Sequence, residues 1–413
     1  MAKKHYKIVA ITAAGGALEF YDFTIYALFA PYINYHFFAN TSPSGGFIKT
    51  FAVFALGYLA RPIGGIFFGH LGDKFGRKKA FSLAVLMMAT ATLLMGCLPT
   101  YQSIGTTAPV TLIILRLIQG FSVGGEIPGA AVFTVEHVPY RQRGFAIGCV
   151  FMWITLGNTI GAGMGFLLTH LFTPDQMLAW GWRIPFITGF FLGVVSYLIR
   201  NKTIETPVFK AMLKRNKILR TPLLKIKKLS FAKLAHAFIL TAVPSAIISL
   251  FLYLPTYLSN NMQLNLSHSY LINLLSFLIF GCLTVVFGHL SDRINREKLL
   301  MTGAALLLIS TYPLFYGLNL WGESFVWVFT LSFALLGSII NGTYVVLLTE
   351  SFPANLRYSA VGLTYSLGYA IFGGLSPLIF TWMIHYLHSS EAPALYILGC
   401  TILTLVSTYK KQK

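Results

Sequence analysis

Charge is what this sequence has least of. Of its 413 residues only 10% are Asp, Glu, Lys or Arg, and just 12 of those are acidic. A soluble chain needs about 25% charged residues to cover its surface. With 56% apolar residues and a mean hydropathy of +0.70, lipid is the solvent for most of this chain, which excludes a set of soluble domains. Cysteine is also scarce. Cys97, Cys149, Cys282 and Cys400 fall in separate apolar runs without a partner at metal-ligand spacing, so they read as small buried apolar residues. No Gly-rich phosphate loop, nucleophile elbow, HExxH helix or paired-carboxylate hydrolase pattern occurs. An enzyme is not expected, and neither is a cofactor or a metal.

A formal net charge of +19 could suggest a nucleic-acid partner, but the basic residues are not gathered on one face. They sit in alternate hydrophilic gaps: Lys3, Lys4 and Lys7; Lys74 to Lys79; Arg141 and Arg143; a block from Arg200 to Lys233; Arg293 to Lys298; Arg357; and Lys410 to Lys413. The intervening gaps contain no Lys or Arg. This is the positive-inside pattern, with the basic side facing anionic lipid of the cytoplasmic leaflet. Nucleic acid is not an expected partner. The N-terminus mimics a signal peptide, but acidic residues and further apolar sequence follow at once, so it reads as a retained first span.

Spans of about 20 apolar residues fit near 8–36, 47–71, 80–98, 107–135, 143–172, 181–200, 232–258, 267–290, 298–318, 324–349, 358–385 and 391–408. The even count puts both termini in the cytoplasm. The expectation is an all-α membrane protein of twelve helices in two pseudo-symmetric six-helix bundles, 1–200 and 232–413. A basic linker over 201–231 would lie on the membrane surface with a short amphipathic helix. Two duplications support the halves. GHLGDKFGR (69–77) returns as GHLSDRINR (288–296), and Glu136, Pro139, Arg143 and Gly148 recur at identical spacing as Glu350, Pro353, Arg357 and Gly362.

Several charges fall inside spans. At 1.5 Å per residue, Glu19, Arg61 and Glu126 each lie roughly 14–16 Å from a span end, near the bilayer midplane. Asp22 shares a helix face with Glu19, and Arg116 lies deeper in span four. Each such charge costs about 2.5–3.5 kcal/mol to insert. They either form structural pairs, Arg61 with Glu19 and Arg116 with Asp22, or line a water-filled cavity. The second half favours the cavity, because its span interiors offer only neutral groups such as Asn273, Thr343, Tyr344, Tyr365 and Ser366. In the GHLGDKFGR loop, Asp73 is placed to cap a helix of the other half and Arg77 to pair with Glu136. Small residues every fourth position, Gly120 and Gly124, then Gly157, Gly161 and Gly165, read as close helix packing. Aromatics with a chance of facing a pocket are Tyr21, Tyr26, Trp153, Tyr344 and Tyr365.

ALEFYDF (17–23), ARPIGGIFFGHLGDKFGRKK, RLIQGFSVGGEIPGA, GWRIPF followed by IETPVF, and RYSAVGLTYSLGYAIFGG together resemble the metabolite:proton symporter family of the major facilitator superfamily, with the nearest likeness to bacterial proline/betaine carriers. The resemblance implies an inner-membrane protein, expected as a monomer, that takes up a small carboxylate-bearing solute with protons. It marks Glu19, Asp22 and Glu126 as proton carriers and Arg61 and Arg116 as their partners. Asp73, Arg77, Glu136 and Arg143 with Asp292, Arg296, Glu350 and Arg357 would form the gates. Asn295 replaces a usual glycine, and Pro128 should kink span four beside Glu126. The sequence stops within about five residues of its last span, so the long C-terminal coiled coil of osmosensing members is not expected. This counts against osmotic regulation and betaine specificity; family relatives carry dicarboxylates, citrate or shikimate instead. The alternatives are a facilitative or antiport carrier, or a transport-inactive solute sensor.

Overall fold

Inside a bilayer every backbone N–H and C=O must find its partner within the protein, so runs this long and apolar fold as helices. A computed structural model describes Ala17 and residues 20–38, 43–75, 77–124, 126–201 and 229–412, and among them all regular structure is helical. The first span, α1, is helical over 20–28 and continues as Ala30–Phe37. After it come α2 (Pro43–Phe75), α3 (Arg77–Cys97), α4 (Thr107–Val123, resumed as Glu126–His137), α5 (Arg143–Leu171) and α6 (Ile184–Asn201). The second set is α7 (Phe231–Ile239 and Ala242–Asn261), α8 (Leu266–Ser291), α9 (Arg296–Trp321), α10 (Val326–Glu350), α11 (Ala354–Gly368, a π turn at Tyr369–Gly374, then Ser376–Leu387) and α12 (Pro393–Gln412). Among the described residues eight stretches are long and apolar enough to cross a membrane, one of which, Arg296–Glu350, holds both α9 and α10. Ser82–Cys97 and Pro393–Tyr409 are shorter apolar helices. With α1 they make up the expected twelve. Residues 202–228 of the linker, and the surface helix expected there, lie outside the described residues.

The two sets meet where α5 lies along α8 and α2 along α11. Lipid tails are as apolar as leucine, so such seams depend on close packing rather than on expulsion of water. Glycine makes the approach possible. A Cβ on Gly144 would stand 2.1 Å from the Gly288 carbonyl, and one on Gly165 2.6 Å from the Tyr270 ring. Within the first set, a Cβ on Gly120 would stand 1.8 Å from the Gly57 carbonyl and one on Gly124 2.0 Å from that of Arg61. The spacing read from the sequence therefore serves packing at these positions.

Of the spans that the structure interrupts, α4 and α11 owe their breaks to proline. A proline has no N–H for the carbonyl four residues earlier. Pro128 frees the Gly124 carbonyl, and α4 stops at Val123 and resumes at Glu126. That carbonyl accepts the Ser366 hydroxyl of the other half at 3.4 Å. Pro377 frees the Gly373 carbonyl inside the π turn of α11, and Ser249 Oγ of α7 donates to it at 2.7 Å. The same exchange occurs without a break at Pro255, where Asn273 Nδ2 reaches the Phe251 carbonyl at 2.5 Å. Each freed acceptor is taken by a donor from another helix, so the prolines place polar cross-links within the membrane.

GWRIPF has a structural task at the start of α6. Arg183 Nη1 donates to the last carbonyls around the end of α3, Gly96 at 2.7 Å and Leu98 at 2.8 Å. Its guanidinium lies 4.5 Å from the Trp182 ring. Trp182 is buried and stacks on His36 of α1 at 4.9 Å, and His36 Nε2 donates to the Leu178 carbonyl. Three helix ends are thereby tied together. Arg183→Ala leaves two carbonyls without their charged donor and is expected to cost about 1.5–3 kcal/mol. Thermal unfolding of purified protein should show a lowered Tm, with Arg183→Lys falling less.

Candidate functional site

The guanidinium of Arg61 lies where the two halves meet. Arg61 is buried on α2, its guanidinium 3.9 Å from the ring centres of both Phe23 and Tyr58 and 6.0 Å from that of Phe20. Tyr58 precedes it by one helical turn, so both project from the same face. Its Nε and Nη2 have no hydrogen-bond partner among the described residues. Facing it from the second half are Tyr365 and Tyr369, which with Tyr58 are its electrostatic neighbours. Their rings stack at 4.3 Å, and the Tyr369 hydroxyl meets that of Tyr344 at 2.8 Å. Tyr369 opens the π turn whose last residue, Gly374, lets Tyr58 approach, since a Cβ there would stand 2.3 Å from Tyr58 Cβ. Phe151 of α5 adds an edge contact to Tyr344 at 6.1 Å. The result is a cation and a tyrosine cluster drawn from five helices, and such a site can hold an anionic group by ion pairing and a cationic one by ring faces.

Arg116 is deeper in the first half. It is fully buried, and its guanidinium lies 3.9 Å from the same Phe23 ring, 4.7 Å from Tyr26 and 5.0 Å from Phe54. Its Nη1 donates to the Phe23 carbonyl at 3.0 Å and to Gln119 Oε1. Gln119 Nε2 donates in turn to the Asp22 carbonyl at 2.7 Å and to Thr92 Oγ1 at 2.8 Å. The pairing weighed for Arg116 and Asp22 is thus made through backbone, because the Asp22 carboxyl turns the other way, toward α6. Among the described residues neither of its oxygens has a hydrogen-bond partner, and it is fully buried. Tyr21 and Tyr26 spend their hydroxyls on the carbonyls of Pro185 (3.0 Å) and Thr50 (3.2 Å), inside the first half. Trp153 is half-buried on α5. Glu19 lies outside the described residues, as does the side chain of Glu126.

A second cluster sits at the end of the bundle where the gaps are basic. Asp292 caps α5, accepting the Gly144 N–H on Oδ1 (2.8 Å) and the Phe145 N–H on Oδ2 (2.9 Å). A carboxylate at a helix N-terminus is favoured by the unpaired N–H groups and the dipole. Arg296 Nη2 binds Asp292 Oδ1 at 2.9 Å and the Tyr140 carbonyl at 3.0 Å, while Nη1 lies 3.0 Å from both Glu350 oxygens. Arg143 of the first half reaches Glu350 Oε1 at 2.9 Å. The duplication is visible in the backbone contacts as well: Arg143 Nε donates to the Val135 carbonyl and Arg357 Nε to that of Thr349, at 3.1 and 2.9 Å. The side chains of Asp73, Arg77 and Glu136 lie outside the described residues. Their repeats Asp292, Arg296 and Glu350 adopt the cap and the ion pair that the loop motif suggested.

Three central residues escaped the sequence reading. Tyr58 stands three positions before Arg61, Gln119 three after Arg116, and Tyr369 four after Tyr365. Each shares a helix face with a residue already singled out, and that spacing was the available signal.

Comparison with known proteins places these features in a family. The family model "Major Facilitator Superfamily" matches residues 12–406. The proline/betaine transporter of Escherichia coli K12 is 32% identical over 412 residues, 96% of this chain and 82% of the relative. The glycine betaine/proline/ectoine/pipecolic acid transporter of Dickeya dadantii is 31% identical over 415 residues, covering 97% of this chain and 82% of the relative. Among solved structures, the D-xylose-proton symporter superposes with a TM-score of 0.77 at 17% identity, over 98% of this chain and 96% of that one. An inward-open form of the xylose transporter XylE of E. coli gives 0.76 at 18%, over 99% and 95%. At such identities the structures speak for the fold alone. Sequence and fold together make the chain a multi-pass membrane transporter that belongs to the major facilitator superfamily.

Proposed function

We propose that the chain is a proton-coupled symporter that takes up a small carboxylate-bearing solute by alternating access. The observation that carries this reading is Arg61: a buried cation between the halves whose Nε and Nη2 have no partner among the described residues, with a tyrosine cluster opposite. An unfilled buried donor is costly, and a solute carboxylate would fill it. Proline, betaine, ectoine and pipecolic acid, carried by the named relatives, each join a carboxylate to a cationic nitrogen. The rings of Tyr58, Tyr365 and Tyr369 suit that nitrogen, which makes a zwitterion a better fit than a dicarboxylate. Glu19, Asp22 or Glu126 exchange the proton as the halves rock. Both termini are cytoplasmic on this reading, and the Asp292–Arg296–Glu350–Arg143 cluster is the cytoplasmic gate.

Counter-transport and net uptake separate the parts. Arg61→Gln removes a charge-assisted contact of about 1.5–3 kcal/mol, and the half-saturating concentration of proline or betaine in vesicles should rise about 10- to 100-fold. An uncoupler should abolish accumulation, and Glu126→Gln should retain exchange while losing accumulation. A facilitative carrier would be indifferent to both. Accumulation that survives replacement of Glu19, Asp22 and Glu126 together sinks the proposal.

The gate has its own test. Glu350→Gln leaves Arg143 and Arg296 facing each other and should shift the population toward the inward-open state. Ser291 is 2% exposed beneath Gly144. In a background with the four native cysteines changed to serine, alkylation of Ser291→Cys should run about tenfold faster in Glu350→Gln, equivalent to ~1.4 kcal/mol. An unchanged rate removes Glu350 from the gate.

A further inference from the structure

Asn158, on α5, is buried, and its amide oxygen Oδ1 has no hydrogen-bond partner among the described residues. The hydroxyls around it are already spent. Thr155 and Thr159 donate to carbonyls of their own helix, Phe151 at 2.8 Å and Thr155 at 3.1 Å. On the facing helices Thr24 donates to Phe20, Tyr21 to Pro185 and Tyr270 to Leu28, while Tyr344 is engaged with Tyr369. A buried acceptor left empty is costly, so a donor from outside the chain is called for.

The contacts of α5 show where that oxygen faces. One side of the helix lies against α1: a Cβ on Gly157 would stand 2.1 Å from the Ala17 carbonyl, and one on Gly161 2.9 Å from Leu28 Cδ1. Another side lies against α8, where Thr155 Cβ is 3.4 Å from the Cβ position of Gly281. At about 3.6 residues per turn, Asn158 projects between these two sides, on the same face as Phe151 about two turns earlier. Phe151 meets Tyr344 of the second half, so this face looks into the site. Its depth follows from α1. A Cβ on Gly157 would also stand 3.0 Å from the Tyr21 nitrogen, which is level with Phe20 and Phe23, the rings beside the Arg61 guanidinium. Asn158 and Arg61 therefore share one level, α5 holding the first and α2 the second. The joined hydroxyls of Tyr344 and Tyr369 link the two walls.

Such a pair is complementary to a zwitterion. Arg61 offers only donors and suits a carboxylate, whereas Asn158 Oδ1 is an acceptor and suits an N–H. Ring faces attract any cation, alkylated or not, so the tyrosines do not tell a secondary ammonium from a quaternary one. An acceptor does. The first fills Oδ1 with an N–H; the second brings only methyl groups and leaves it buried and unpaired. We infer that Asn158 is a specificity-determining residue whose Oδ1 receives an N–H of the solute's cationic nitrogen, selecting secondary-amine zwitterions such as proline over fully N-methylated ones such as betaine. The inference rests on the proposed function, which seats the carboxylate on Arg61, and extends it to the other end of the solute.

Proline and N,N-dimethylproline share a ring and a carboxylate and differ in the N–H groups alone. Titration calorimetry of purified protein should show wild type favouring proline by about tenfold or more. Asn158→Leu should remove most of that preference by weakening proline about tenfold, and Asn158→Asp, which keeps an oxygen there, should retain it. Leucine is close to asparagine in size, so a preference set by bulk alone would persist. A preference untouched by Asn158→Leu overturns the inference. So does an equal loss for both solutes, which would put the amide on the carboxylate or leave it a structural role. If Asn158→Leu does not fold, Asn158→Ala removes the same oxygen and is judged by the same criterion. Arg61→Gln should weaken both solutes alike. If it weakens neither while Asn158→Leu still erases the preference, the carboxylate is not on Arg61 and Asn158 keeps its role. The converse result keeps Arg61 and discards Asn158. Wild type that binds neither solute discards both.

Discussion

A guanidinium ion does not shed its charge, so wherever the chain places Arg61 and Arg116 the surrounding helices must supply what water would have supplied. The means are aromatic. Both cations lie 3.9 Å from the ring centre of Phe23, and each has further rings beside it, Tyr58 for Arg61, Tyr26 and Phe54 for Arg116. Ring faces stabilise a desolvated cation by about 2 kcal/mol, which offsets a part of the insertion cost but fixes no direction as a carboxylate would. The two cations then part company. Arg116 is tied through Nη1 by Gln119 and a carbonyl into the first half, whereas Arg61 faces the tyrosines of the second half; among the described residues Nε and Nη2 of both lack a hydrogen-bond partner. One is an internal fastener. The other is left for a visitor.

How much of this was legible beforehand follows from the kind of signal involved. Length and apolarity define a membrane helix, so the spans could be placed from hydropathy alone, and duplicated motifs betrayed the two halves. Depth along a helix was also readable at 1.5 Å per residue, which put Arg61 near the middle. Rotation about the helix axis was not. A span that is apolar all round carries no stripe to say which face is inward, and so the direction of Asp22, toward Gly189 rather than Arg116, was invisible. Tyr21 and Tyr26 looked like pocket residues for the same reason, yet their hydroxyls bind the carbonyls of Pro185 and Thr50. Tyr369, by contrast, was legible from its i+4 spacing to Tyr365, on which it stacks.

The same limit explains why Pro128 was read only as a kink. From sequence, Pro128, Pro255 and Pro377 announce a lost N–H. Which group takes the freed carbonyl depends on what lies opposite. The structure supplies Ser366, Asn273 and Ser249, the first two noted beforehand only as neutral groups inside the spans. Ser366 is the telling case, because its bond to Gly124 at 3.4 Å joins the two halves beside Arg61. A long hydrogen bond to a carbonyl is a weak tie, suited to a contact that must release when the halves separate.

The distribution of strong and weak contacts between the halves bears on how they move. Along α5 and α8 the seam is glycine against backbone, as at Gly144 and Gly288, where packing is close but few directional bonds have to be broken for the helices to roll. Among the described residues the charge-assisted bonds between the halves are confined to one end, and Arg143 and Glu350 there are 22% and 21% exposed. At that exposure water can replace each ion-pair contact as it parts, so the net cost of opening is far below the energy of the bonds themselves. Asp292 differs, being only 2% exposed and engaged with both Arg296 and the first turn of α5. Removing it from Gly144 and Phe145 leaves a buried carboxylate that only Arg296 of its own half can hold. On the proposed reading, Arg296 is what allows Asp292 to let go of α5, since it travels with Asp292 and keeps that charge paired in both states.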